Sequence, residues 1–234
     1  MKIACCIFAY EITKGLKSLG PLGSLRRNAK VKPFILEQIN YVRDIFGGVD
    51  FYIITGFENA KIENTIPNKK YIKTIYNKKY YTKNHGLAIK LFFDEINDQL
   101  DKYEGFLILE QNSLVKNTTK NKKQSWINTK TKTKNDRKTN NIDTISIDHH
   151  IKYLFYQLDG NTWCHNLYLT SKDLQSIIAS ETSIFHDNMF LFEFINAIIE
   201  NTEVTILENK IVHNKDHINF TSPKIKKVTC KKIF

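Results

Sequence analysis

Cysteine, proline and tryptophan are scarce in this chain of 234 residues: four, four and two. Four cysteines cannot staple a chain of this length. Cys5 and Cys6 are adjacent and, in an extended strand, point to opposite faces; Cys164 and Cys230 stand alone. No Cys-x-x-Cys occurs, so the common zinc and redox patterns are excluded, and a reducing compartment is the simplest setting. No apolar run approaches the ~20 residues of a membrane-spanning helix. Residues 1–10 are apolar but meet Glu11 instead of a small-residue cleavage site, so they read as a buried first strand rather than a signal peptide, and a cytoplasmic location is expected. Without a leader, Asn117-Thr118-Thr119 and Asn219-Phe220-Thr221 carry no weight as glycosylation acceptors.

What is present is a basic, moderately apolar chain. Lys and Arg number 35 against 24 Asp and Glu, a net charge of +11, and 41% of residues are hydrophobic. That is too apolar for a wholly disordered protein. The charge is not spread evenly. Residues 116–141 carry +8 and residues 223–234 carry +5, which leaves the remainder at −2. The body is nearly neutral, so a basic groove built into the core is not expected. Contact with a polyanion, nucleic acid included, falls instead to Lys120, Lys122, Lys123, Lys130, Lys132 and Lys134 in the insert.

The apolar periodicity alternates strand and helix. Residues 3–10 read as a strand buried on both faces. A glycine-containing loop follows, and Pro33 opens a helix in which Ile35, Ile39, Val42 and Phe46 share a face and Gly47-Gly48 ends it. Strands are expected at 49–55, 71–76 and 105–109, with helices at 58–66 and 86–100. This predicts an α/β fold: a predominantly parallel mixed sheet, helices on both faces, one domain spanning 1–234. Ligands on such sheets bind at the carboxyl ends of the strands, here the loops after Tyr10, Thr55, Tyr76 and Leu109. Further strands are expected at 142–148, 151–158, 167–169 and 203–207. Thr170 with Asp173 starts a helix, 189–199 is an apolar helix, and Ser222-Pro223 opens a basic terminal helix to 234. Residues 116–141 hold almost nothing apolar besides Trp126 and Ile127 and read as a mobile excursion.

The histidines give weaker signals. Adjacent His149 and His150 beside Asp148 face opposite ways on a strand and read as a solvent-facing turn rather than a metal site. His165, beside Cys164, reads as a strand residue, with the lining of an acceptor pocket as the alternative. His85 is a candidate for substrate contact. Tyr76, Tyr80 and Tyr81 with Lys78, Lys79 and Lys83 fit either a solvated loop or a base-stacking one.

The order of elements and several short motifs resemble the sugar-phosphate nucleotidyltransferase family, with its glycosyltransferase-A-like fold, and within it the divergent phage-type members. The motifs are Lys17-Ser18-Leu19-Gly20 after the first strand, residues 32–39 opening the first helix, residues 52–57, and Asn77 followed by Tyr81-Thr82-Lys83-Asn84. Residues 106–109, Trp163 with Tyr168-Leu169-Thr170, and residues 190–196 continue the series.

The resemblance implies transfer of a nucleotidyl group from a nucleoside triphosphate to a small phosphorylated acceptor, with release of pyrophosphate. It implies Lys17 and Lys32 as catalytic cations and Gly15, Ser18, Gly20, Gly23, Arg26 and Asn84 as nucleotide-binding residues. It implies Mg²⁺, held in the family by two aspartates. Here Asn112 stands at the first of those places and Asn219 at the second, with Glu110 and Asp216 as the neighbouring carboxylates. An amide oxygen lacks the charge of a strong hard-cation ligand. The alternative implied is therefore a catalytically degenerate relative, used as a binding or assembly protein.

Overall fold

The computed structural model describes residues 2–10, 33–111, 113–115, 122–132, 141–180 and 184–211. Its frame is a ten-stranded mixed sheet in the order β10-β7-β6-β8-β5-β9-β4-β1-β2-β3. The first half is parallel: β1 (Lys2–Ala9), β2 (Val49–Thr55), β3 (Ile72–Tyr76) and β4 (Tyr103–Leu109). β1 is central because nearly every residue of it is apolar, so it can be covered on both faces. Cys5 joins one core and Cys6 the other, which is the opposed placement that strand geometry requires.

Helices α1 (Phe34–Phe46) and α2 (Asn59–Thr65) cover one face of this half. Ile35, Ile39, Val42 and Phe46 of α1 pack on Ile3, Cys5 and Ile7 of β1. Pro33 stands at the N-cap, and Gly47 closes the helix at φ +78°, its N–H donating to Arg43 O at 2.8 Å. On the opposite face lie α3 (His85–Ile96), α4 (Ser171–Ala179) and α5 (Leu191–Asn201). Thr170 Oγ1 caps α4 by accepting the Asp173 N–H at 3.1 Å, as the sequence pattern anticipated. A 3₁₀ turn, Asn97–Lys102, continues from α3.

The second half is largely antiparallel and comprises β5 (Trp126–Lys130), β6 (Ile142–Ile147), β7 (His150–Tyr156), β8 (Thr162–Trp163), β9 (Asn166–Thr170) and β10 (Leu207–Ile211). β9 runs against β4 and joins the halves. β10 pairs with both β7 and β5, so the distal strands curl into a closed ring. The β6–β7 turn is Asp148-His149, both at positive φ (50° and 63°). Two such residues make the tight connection that matches strand twist, which agrees with the expected turn.

Two expectations are corrected. The stretch 122–132, expected inside a mobile basic excursion, contributes β5, an interior strand that pairs with β8, β9 and β10. Trp126 stacks on Tyr168 with centroids 5.2 Å apart, the Asn128 N–H donates to Asn166 Oδ1 at 2.9 Å, and Thr129 Oγ1 donates to Glu208 Oε1 at 3.0 Å. The late strand, expected at 203–207, lies at Leu207–Ile211. Val204 and Ile206 are buried, but they serve as core contacts ahead of the ladder. The basic terminal helix expected at 222–234 lies outside the described residues. Among the described residues, no helix is long and apolar enough to cross a membrane.

Candidate active site at the carboxyl edge of the sheet

β1, β2, β3 and β4 all end on one edge. There Gly56 passes so close to Tyr10 and Tyr80 that a Cβ would lie 2.7 Å and 2.6 Å from their Cβ atoms. Asn77, buried, receives the Lys79 N–H on Oδ1 at 3.0 Å and donates its own N–H to Thr55 O at 2.8 Å. The loops after β2 and β3 are thereby held together.

The chemistry at this edge gathers around Glu110, the residue after β4. Its side chain is 15% exposed and lies between two imidazoles. Oε2 is 2.8 Å from His165 Nδ1, and Oε1 is 3.3 Å from His85 Nδ1. Burial raises the pKa of the Glu110 carboxyl, but the charge and hydrogen bond of His165 outweigh it and hold the carboxyl below its ordinary value.

His85 is the first residue of α3 and is buried. Its Nδ1 accepts the Leu191 N–H at 3.1 Å, which docks the start of α5 on the start of α3. The ring lies against Phe8 (5.0 Å) and edge-on to Phe190 (5.7 Å). Gly86 lets the 186–189 turn approach: a Cβ there would lie 1.8 Å from His186 O.

His165 occupies the turn between β8 and β9 at φ +58° rather than a strand. Its ring packs against Trp163 at 4.8 Å, tilted by 31°, and Trp163 Nε1–H is fixed on Asn166 O at 2.8 Å. Its carbonyl accepts the Glu110 N–H at 3.1 Å. Beside it, burial pushes the Cys164 thiol up to about 12 despite the nearby Lys130 charge, so this cysteine is no thiolate nucleophile.

The sequence candidates are placed unevenly. Glu110 and His85 meet. Asn84 precedes α3 and donates through Nδ2 to Asn188 O at 2.5 Å, so its amide ties the 184–190 segment to α3. Gly15, Lys17, Ser18, Gly20, Gly23, Arg26, Lys32, Asn112 and Asp216 lie outside the described residues, as do Lys120 and Lys134 of the insert. The other insert lysines belong to the folded body: Lys122 pairs with Glu104, Lys132 with Asp143 at 2.6 Å, and Lys130 is 8% exposed within β5. Lys123 is exposed. Sequence reasoning underweighted His165. Its signal was a polar run, Cys164-His165-Asn166, set between the buried Trp163 and Leu167.

Of the residues expected to hold Mg²⁺, Glu110 alone lies among the described residues, Asn112 and Asp216 being outside them. Both oxygens of Glu110 face imidazole nitrogens, and among the described residues no group of three or more His, Cys, Asp or Glu is arranged to hold a metal.

No protein-family model and no curated protein matches the sequence. Solved structures do match over most of their length. CTP:phosphocholine cytidylyltransferase from Streptococcus pneumoniae superposes with a TM-score of 0.69 at 15% identity, covering 92% of each chain. A glucose-1-phosphate thymidylyltransferase from Bacillus anthracis gives 0.65 at 10% identity, covering 90% of this chain and 87% of that one. The inositol-1-phosphate CTP transferase of T. maritima gives 0.62 at 12%, covering 88% and 84%. At these identities the likeness is one of fold: the chain has the mixed α/β architecture shared by these nucleotidyl-transferring enzymes.

Proposed function

We propose that the protein transfers a nucleotidyl group from a nucleoside triphosphate to a small phosphorylated acceptor and releases pyrophosphate. The observation that carries this reading is the likeness in fold along nine-tenths of both chains to cytidylyl- and thymidylyltransferase structures. The His85–Glu110–His165 cluster at the carboxyl edge of the sheet, where such folds bind ligands, supports it.

In this reaction an acceptor phosphate oxygen attacks the α-phosphorus. The bond from that phosphorus to the bridging oxygen breaks, and pyrophosphate carries away the electron pair. The acceptor oxygen is already anionic, so a general base is not required. The protein's tasks are to hold two anions in line and to meet the charge that builds on the leaving group. Lys17, Lys32 and the glycine-bearing loop after β1 are assigned to the triphosphate, and the β4 edge to the partner that meets it. For the acceptor, phosphocholine, inositol 1-phosphate and glucose 1-phosphate are the first compounds to test.

Isothermal titration with CTP, UTP, GTP, ATP and dTTP, followed by a pyrophosphate-release assay with those acceptors, tests the reading. One triphosphate is expected to bind in preference to the rest and to release pyrophosphate only when an acceptor is added. Absence of binding by all five overturns it.

A further inference from the structure

We infer that the outward side of the β6–β7 hairpin binds carbohydrate, with a polar cavity for the hydroxyl groups and an aromatic shelf for the apolar face of a sugar ring. The inference does not rest on the transferase reading.

A cavity of about 400 Å³ lies beside β6, and its lining includes Thr131, Lys132, Ile145, Ser146, Asp159 and Asn161. That size suits a small ligand. The 159–161 turn forms one wall. Gly160 lets this wall press on β6, since a Cβ there would lie 1.6 Å from Thr144 O.

Glu208 decides what the wall can offer. Ser146 Oγ and Asn161 Nδ2 both donate to its carboxylate, at 2.6 Å and 2.7 Å. What they keep for a ligand is mostly acceptor: the Ser146 lone pairs and Asn161 Oδ1. Asp159 adds a carboxylate that is exposed and pairs with no cation among the described residues. Lys132 is the cation on the lining, and two of its protons are already committed, to Asp143 Oδ2 at 2.6 Å and to Leu158 O at 2.7 Å. A ligand that fits must bring hydrogen-bond donors and little negative charge. Phosphate brings acceptors and charge. Hydroxyl groups, each a donor and an acceptor, match the lining.

The sheet face beside the cavity is apolar, where an uncovered antiparallel face is ordinarily polar. Ile145, Ile147, Tyr153 and Phe155 are 45%, 57%, 38% and 46% exposed. The rings of Tyr153 and Phe155 lie 6.3 Å apart and within 29° of parallel. Two register pairs join this shelf to the cavity. Ile145, on the lining, stands opposite Tyr153, and Asp143, which anchors Lys132, stands opposite Phe155. A sugar ring has the same division, a rim of hydroxyls around a C–H face that packs on aromatic rings. A basic peptide also brings donors, but it would meet Lys132 and find one unpaired carboxylate.

The test is calorimetry on the full chain with three uncharged probes, maltotriose, cellotriose and triacetylchitotriose, and with inorganic phosphate and tetralysine for comparison. At least one trisaccharide is expected to bind saturably below about 10 mM, and the two charged probes are not. Asp159→Asn and Tyr153→Ser should each weaken that binding about tenfold or more, while Lys152→Ala, also on β7, should leave it unchanged. Saturation-transfer NMR reads the contact without mutation: irradiating aromatic protons should carry signal to the C–H groups of the bound sugar.

Absence of binding by all three sugars at about 10 mM overturns the inference, as does binding that neither Asp159→Asn nor Tyr153→Ser weakens. Tighter binding of tetralysine, lost in Asp159→Asn, overturns it in favour of a basic peptide. A dimer in sedimentation that Tyr153→Ser dissolves, with no sugar bound, gives the shelf to a second copy of the chain and overturns it too. Sugar binding by a protein that binds no triphosphate keeps this site and removes the transferase reading; triphosphate binding without sugar binding does the reverse.

Discussion

The side-chain amide of Gln38, fully buried on α1, donates through Nε2 to the carbonyl of Ser113 at 2.7 Å and to that of Glu110 at 3.1 Å. Ser113 Oγ in turn donates to Cys164 O at 2.8 Å, and Asn166 Nδ2 reaches the same carbonyl at 3.3 Å. Three segments far apart in sequence are thus fixed by amide and hydroxyl groups: the first helix, the turn after β4 and the turn before β9. The Glu110–His165 contact is a product of that framework, because each member sits on a turn that Gln38 or Ser113 holds.

Gln38→Leu keeps the volume and removes both donors. Two carbonyls that Gln38 serves then lose a partner, at a cost of about 2–3 kcal/mol. Urea unfolding should show a lower midpoint with an unchanged slope. Gln38→Glu should be at least as damaging, since it sets a carboxylate against two carbonyl oxygens. A midpoint equal to wild type in both variants would show that the turn is held elsewhere.

Glu208 makes stability depend on acid pH. Its carboxylate is 7% exposed and accepts from Ser146 Oγ (2.6 Å), Asn161 Nδ2 (2.7 Å), Thr129 Oγ1 (3.0 Å) and Thr144 Oγ1 (3.3 Å). Burial raises its pKa, but the donors and the Lys210 charge outweigh burial and bring it below the ordinary 4.5. A carboxyl depressed in the folded state contributes stability that is present above 4.5 and lost as pH falls through the folded value. In Glu208→Gln that contribution is absent at every pH. The melting temperature of the variant should therefore lie below wild type at pH 7, and the gap should narrow as pH drops beneath 4.5. A gap that stays constant or widens in acid would contradict the assignment.

The parallel half was legible because its signals are local. The spacing of Ile35, Ile39, Val42 and Phe46 gives α1 one apolar face, and the Thr170–Asp173 pair caps α4 within four residues. β5 was hidden because its sequence, Trp-Ile-Asn-Thr-Lys, lacks alternation and sits among lysines. Three of its polar groups find partners far away in sequence: the Asn128 N–H at Asn166 Oδ1, Thr129 Oγ1 at Glu208 and Asn128 Oδ1 at Asn209 Nδ2. No window of ten residues holds those partners. The same holds at the site. Glu110 was visible as the residue after a buried strand, but its partners His85 and His165 are delivered by the topology from the start of α3 and the β8–β9 turn.

β5 also allows a direct test against the reading of residues 116–141 as a loose basic loop. Trp126 is 2% exposed and stacks on Tyr168, whose ring also lies parallel to Phe46 with centroids 6.1 Å apart. Trp126→Ala opens a large cavity in the core beneath α1 and should cost about 3–5 kcal/mol. A surface-loop tryptophan would cost almost nothing. Hydrogen exchange gives the matching readout without mutation. The amides of residues 126–130 lie in ladders with β8, β9 and β10, so they should exchange as slowly as those of β4, while the exposed Lys123 exchanges early. Fast exchange throughout 122–132 together with a wild-type melting temperature for Trp126→Ala would return this segment to the surface. Slow exchange with a large loss of stability makes it part of the wall that carries Cys164 and His165, because Asn128 O is the acceptor of the Cys164 N–H at 2.9 Å.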